Sequence, residues 1–235
     1  MIILACETST LLGSVAVLEN ERVLSVVESM RQGSHSDTLN IFIERALEKA
    51  GKKLSDVDLF ASGIGPGSFT GLRISLNTIK TLAYCHQKPV AGISSLRTLA
   101  TAASKTEFSN IPIVSMINAF KNMVYVAQYE VQNHALKEIK KPEVLRVQNL
   151  ESYLPDRALI CGDAFTTYEK FFPENLRQKM QRSNLVSDEP RADTLGLIAF
   201  ADPALQQSWN QLLPLYLRAS EAEENMNGIK YQPLI

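Results

Sequence analysis

Apolar and polar positions change period along the chain. Residues 2–6 form an unbroken apolar run closed by Thr8-Ser9-Thr10, brief enough to predict a strand. Residues 13–18 (GSVAVL) alternate small or polar with apolar side chains, and Glu19-Asn20 turns the chain into residues 22–28 (RVLSVVE). Three short strands with tight links predict an antiparallel meander. Leu39, Phe42, Ile43, Ala46, Leu47 and Ala50 then recur at three and four residues, one face of an amphipathic helix. Ser36 suits its N-cap, and Gly51 suits the position just past its end, where left-handed backbone costs glycine nothing. Residues 57–64 resume strand character and run into SGIGPGSFTGLR, residues 62–73. A helix over 69–86 follows, and Lys88-Pro89 ends it, because proline restricts its predecessor and has no N–H to donate. A strand at 90–93 leads to a helix that reaches Ala103.

A polar hinge at 105–110 opens a second series. Strands are predicted at 111–117, 123–131 and 135–147, a short helix at 148–154, a strand at 158–161 and a helix at 163–172. Residues 177–190 read as a loop, 192–201 as a short helix, 206–211 as a helical turn and 212–218 as extended. The recurrence predicts two similar α/β halves rather than one long sheet. The expected lobes are 1–104 and 105–235, with 212–235 packing back on the first.

Composition narrows the picture. The chain has 235 residues, enough to bury a substantial core, and 24 Lys+Arg balance 25 Asp+Glu. A protein that grips nucleic acid alone usually carries a basic excess, so any nucleic-acid role is expected only through a complex with a partner. Cys6, Cys85 and Cys161 form no C-x-x-C pair and read as thiols of a reducing compartment. Only five residues precede Cys6, no run approaches the ~20 apolar residues of a membrane span, and a cytoplasmic location is expected.

The glycine-rich segment draws the chemical question. Gly63, Gly65, Gly67 and Gly71 let backbone approach a neighbour closely, and a loop opening a helix presents amides to an anion. Yet no Gly-Lys-Ser/Thr closes it, and Ser68 stands where a dinucleotide fingerprint has its third glycine. A phosphate cradle and a tight turn for close packing both fit. In the following helix Leu72, Leu76, Ile79 and Ala83 form one apolar row, and Ile74, Thr78, Leu82 and Cys85 a weaker one. Two rows mean burial on two sides, in the core or at a protein interface. Glu7, at a strand end beside hydroxyls, fits either a metal-bound water in phosphoryl transfer or the capping of nearby amides. His35, His86 and His134 lack a second ligand at metal spacing, and no nucleophile–base set is evident, so neither a metal site nor a catalytic residue is assigned.

ILACETST, GSVAV, His35, GIGPGSFTGLRIS at 63–75, GISSL at 92–96 and PLYLR at 214–218 together resemble the TsaB (YeaZ) family over nearly the whole chain. The resemblance implies two related lobes of the actin-like ATPase (ASKHA, RNase H-like) fold, mixed sheets flanked by helices. It implies a non-catalytic subunit in formation of tRNA threonylcarbamoyladenosine. TsaD is the catalytic partner, TsaE an associated ATPase, TsaC the source of threonylcarbamoyl-AMP, and a homodimer forms when TsaD is absent. The family contact, a bundle of the first two helices, maps onto His35, Ile41, Arg45, Phe69, Leu72, Arg73, Leu76, Ile79, Lys80 and Ala83. A nucleotide site shared with the partner, for ADP or ATP at the contact with TsaD and TsaE, maps onto Glu7, Thr8, Gly65, Gly67, Ser68 and Gly71. Three departures stand out: Glu7 where the family commonly has Asp, and Asn118 and Phe120 where it has Asp and Arg. The alternative is an independent ATPase or kinase of the same fold.

Overall fold

β1 (Ile2–Glu7) organises the first sheet of the computed structural model, which describes residues 1–30, 38–108, 110–219 and 226. It pairs antiparallel with β2 (Leu12–Glu19), Leu4 opposite Val17, and β2 pairs antiparallel with β3 (Arg22–Met30). Helix α1 (Leu39–Ala50) follows, closed by Gly51 in left-handed backbone at φ 63°. The N-cap position of α1 is Thr38 rather than the expected Ser36, because the helix begins only at Leu39; Ser36 and His35 lie outside the described residues. β4 (Leu59–Gly65) adds to the other side of β1 in parallel. α2 (Phe69–His86) crosses over to β5 (Val90–Ser94), parallel to β4, and α3 (Ser95–Ala103) follows directly.

The second sheet repeats the plan. β6 (Ile113–Asn118), β7 (Met123–Gln132) and β8 (Ala135–Arg146) form an antiparallel meander. After the one-turn helix α4 (Leu150–Tyr153), β9 (Ala158–Cys161) adds parallel to β6. α5 (Asp163–Tyr168) and α6 (Glu174–Lys179) lead to β10 (Met180–Gln181), parallel to β9. The orders β3-β2-β1-β4-β5 and β8-β7-β6-β9-β10 are the same, as two related lobes require. α6 and β10 fall largely where a loop was expected. α6 buries only Leu176, so it shows no repeating stripe, and two residues are too few to show alternation.

α7 (Ala192–Ala201) packs on the first sheet, and the two-residue strand Gln206–Gln207 joins that sheet's edge on β5. The expected helical turn at 206–211 is confined to Trp209–Gln211. The chain thus divides into one unit of Met1–Thr98 with Glu189–Leu215 and another of Leu99–Asp188 with Tyr216–Ile235. Residues 189–211, grouped with the second lobe by element order, belong to the first unit because α7 covers the face of β1 that α1 and α2 leave open. Ile2, Leu4 and Cys6 point to the α1–α2 side, Ile3 and Ala5 to Leu195, Ile198 and Ala199. Burial on both faces explains why β1 reads as an unbroken apolar run. Leu212 is buried in the α1–α2 core, and the Leu215 N–H donates to Ile64 at 2.8 Å.

Candidate functional site

The end of β1 and the glycine-rich loop before α2 meet in the first unit. Ser68 caps α2, its hydroxyl accepting the Gly71 N–H at 3.2 Å. The Ser68 N–H itself donates to the Ser9 carbonyl at 2.7 Å. The Thr8 hydroxyl donates to the Gly71 carbonyl at 2.8 Å. These bonds place the turn after β1 directly against the loop.

Close approach accounts for the glycines here. A Cβ at residue 67 would lie 2.2 Å from the Ser9 carbonyl oxygen, and one at 71 would lie 2.0 Å from that of Thr8. Real Cβ atoms do not come so near a backbone oxygen, so any side chain there displaces the loop. At Gly63 the space belongs to the Glu7 carboxylate, which a Cβ would meet at 2.2 Å. Gly65 differs, since its backbone is left-handed at φ 96°. What approaches the stripped backbone is protein: two carbonyls and a carboxylate of this chain.

Glu7 is fully buried. Its Oε1 accepts the Ser9 N–H at 2.9 Å and its Oε2 accepts the Ser95 hydroxyl at 3.0 Å. Burial raises its pKa, and the hydrogen bonds from Ser9, Ser95 and Thr8 offset part of that rise. Both oxygens are thus engaged by the chain's own donors, the amide-capping arrangement rather than an open ligand. Among the described residues no group of three or more His, Cys, Asp or Glu is arranged to hold a metal.

The bundle residues divide by exposure. Leu72, Leu76, Ile79 and Ala83 are buried in the first unit's own core beside Leu4 and Cys6, so this row serves the fold and is corrected as an interface row. The second row is half-covered at Ile74, Thr78 and Leu82 and open at Cys85. The open side of α1 carries Ile41, 44% exposed, and Arg45, and that of α2 carries Arg73. The Arg73 guanidinium lies over the Phe69 ring at 4.4 Å, and Lys80 donates to the Leu212 carbonyl at 3.1 Å.

The second unit holds a carboxylate that the sequence reading did not single out. Asp163 accepts the Asn118 N–H at 2.9 Å, and burial pushes its pKa up to about 6, with Asp188 adding to the rise and the Asn118 bond opposing it. Its only sequence signal is an acid opening a helix after Gly162.

The family model for TsaD, tRNA N6-adenosine threonylcarbamoyltransferase, matches residues 25–226. The chain is 26% identical over 226 residues to the tRNA threonylcarbamoyladenosine biosynthesis protein TsaB of Bacillus subtilis, covering 95% of this chain and 96% of that protein. It is 30% identical over 158 residues to TsaB of Escherichia coli, covering 64% and 68%. The solved structure of YeaZ from Pseudomonas aeruginosa is similar with a TM-score of 0.77 and 29% identity, covering 92% of this chain and 99% of that one.

Proposed function

Because the chain belongs to the TsaB/YeaZ family, we propose that it is a non-catalytic subunit in the formation of tRNA threonylcarbamoyladenosine, acting beside a TsaD transferase. The observation that carries this reading is the closure of the glycine loop on the chain's own β1 turn. A loop whose Ser68 and Gly71 amides bond protein oxygens retains the shape of a phosphate site with two of its donors already committed. Burial of both Glu7 oxygens under Ser9 and Ser95 likewise supports the absence of independent phosphoryl chemistry.

The chain then serves as a platform. The outer sides of α1 and α2, with Ile41, Arg45, Phe69, Arg73 and Lys80, meet the partner's helices. Threonylcarbamoyl-AMP comes from TsaC, and any ADP or ATP is held where this chain, TsaD and TsaE come together. Without TsaD the same surface pairs two copies of this chain. No helix among the described residues is long and apolar enough to cross a membrane, which suits a cytoplasmic assembly acting on tRNA.

Depletion tests the reading. Mass spectrometry of bulk tRNA is expected to show threonylcarbamoyladenosine falling with this protein and returning with re-expression. An unchanged level after depletion removes the proposal.

A further inference from the structure

We infer that the β6–β7 turn of the second unit, residues 119–122, is a stacking platform for an unpaired base of tRNA; this rests on the tRNA role proposed above. Three consecutive residues, Phe120, Lys121 and Asn122, have left-handed backbone at φ 57°, 49° and 59°. Glycine or asparagine adopts such conformations readily, whereas an aromatic residue there is strained and persists only where its surroundings hold it. Phe120 is also 65% exposed, so its ring does not contribute a buried anchor that would account for the strain.

The surroundings do hold it. The Asn118 Oδ1 accepts the Phe120 N–H at 2.8 Å and the Tyr168 hydroxyl at 3.0 Å. Asp163 fixes the Asn118 N–H from the buried side at 2.9 Å. Met123 N–H donates to the Phe120 carbonyl and Ala119 N–H to the Met123 carbonyl, both at 3.0 Å. Val147 N–H reaches the Asn122 carbonyl at 3.0 Å, and the Arg218 guanidinium donates to the Ala119 carbonyl. The ring is thus presented on a backbone that cannot easily turn it away.

Its neighbours are cationic. Lys121 is in the turn, Arg218 bonds it, and Arg146, exposed, stands opposite Met123 at the same end of the hairpin. An exposed aromatic face among Lys and Arg is the chemistry that binds single-stranded RNA: the ring stacks on a base and the cations meet its phosphates. Protein interfaces also favour aromatic residues and arginine but deplete lysine, so Lys121 is the residue that favours RNA over a protein partner. The chain's formal net charge of −1 makes this a local feature that adds to a partner's RNA surface.

The test uses the full chain co-purified with its TsaD and a fluorescent tRNA anticodon stem-loop, read by anisotropy. Phe120→Ala is expected to weaken binding about tenfold, with Phe120→Tyr restoring it. Lys121→Ala is expected to lower the slope of log affinity against log salt by about 1. Phe120→Ala that binds as wild type overturns the inference and leaves the functional reading intact, since that reading is judged separately by the tRNA modification level. If Phe120→Ala loses TsaD while the isolated chain's RNA binding is unchanged, the turn is a protein contact and the inference is overturned.

Discussion

Gly71 sits where a side chain has no room: a Cβ would lie 2.0 Å from the Thr8 carbonyl oxygen, and the Thr8 hydroxyl holds the Gly71 carbonyl from the same side. Gly71→Ala is therefore expected to destabilise the protein by about 1–3 kcal/mol, displacement of the loop outweighing the higher helix propensity of alanine. Ser68→Ala, which removes the α2 cap, is expected to cost about 1 kcal/mol. Urea unfolding of both variants checks the order; a Gly71→Ala midpoint equal to wild type would show that the loop yields freely. Asp163 gives a second residue-scale prediction. Its carboxyl is held near 6 in the fold against an ordinary 3.8, so the folded state binds the proton more readily than the unfolded. Stability from this group is present at low pH and declines as pH rises from about 4 through 6, by at most about 3 kcal/mol. Asp163→Asn keeps an oxygen for the Asn118 N–H and is expected to flatten that decline, measured as unfolding free energy at pH 5 and 7.5. A variant with wild-type pH dependence would contradict it. The sequence made close approach at the glycines legible, because glycine spacing is local information. The approaching group was not, because it comes from β1, brought alongside β4 only by sheet pairing.

α2 shows the same division one scale up. Its limits were legible from a glycine loop at one end and Lys88-Pro89 at the other, and its two rows announced burial on two sides. Which side served the core was not legible, since a sheet and a partner helix select the same apolar residues. The structure assigns Leu72, Leu76, Ile79 and Ala83 to the core. Leu76→Asp is therefore expected to unfold the protein, costing more than about 4 kcal/mol for an unpaired buried charge. Ile41→Asp and Arg45→Glu, on the open side of α1, are expected to leave stability within about 0.5 kcal/mol and to abolish co-purification with TsaD. Full retention of TsaD by the folded double variant would place the partner surface elsewhere. α6 and the strand Gln206–Gln207 stayed illegible for a different reason: elements this short are made by tertiary pairing and leave no period behind.

At the scale of the molecule, the repeated strand order was legible as a recurrence of element types, and the similarity to YeaZ follows from that shared plan. A fold of this kind does not carry its chemistry with it; activity depends on what the site offers. In this chain Gly67 and Gly71 accommodate carbonyls, and Glu7 is bound by Ser9 and Ser95, so a phosphate must displace contacts already made. Displacement raises the free energy of binding by whatever those buried hydrogen bonds contribute, each about 0.5–1.5 kcal/mol, before any favourable contact with nucleotide. Isothermal titration of the isolated, folded chain with Mg·ATP or ADP is accordingly expected to give no saturable heat. On the platform reading, the complex with TsaD and TsaE is expected to give a saturable signal, with partner donors taking the place of those this loop has committed. ATP turnover by the isolated chain that Glu7→Gln removes would instead establish an independent ATPase and overturn the platform reading.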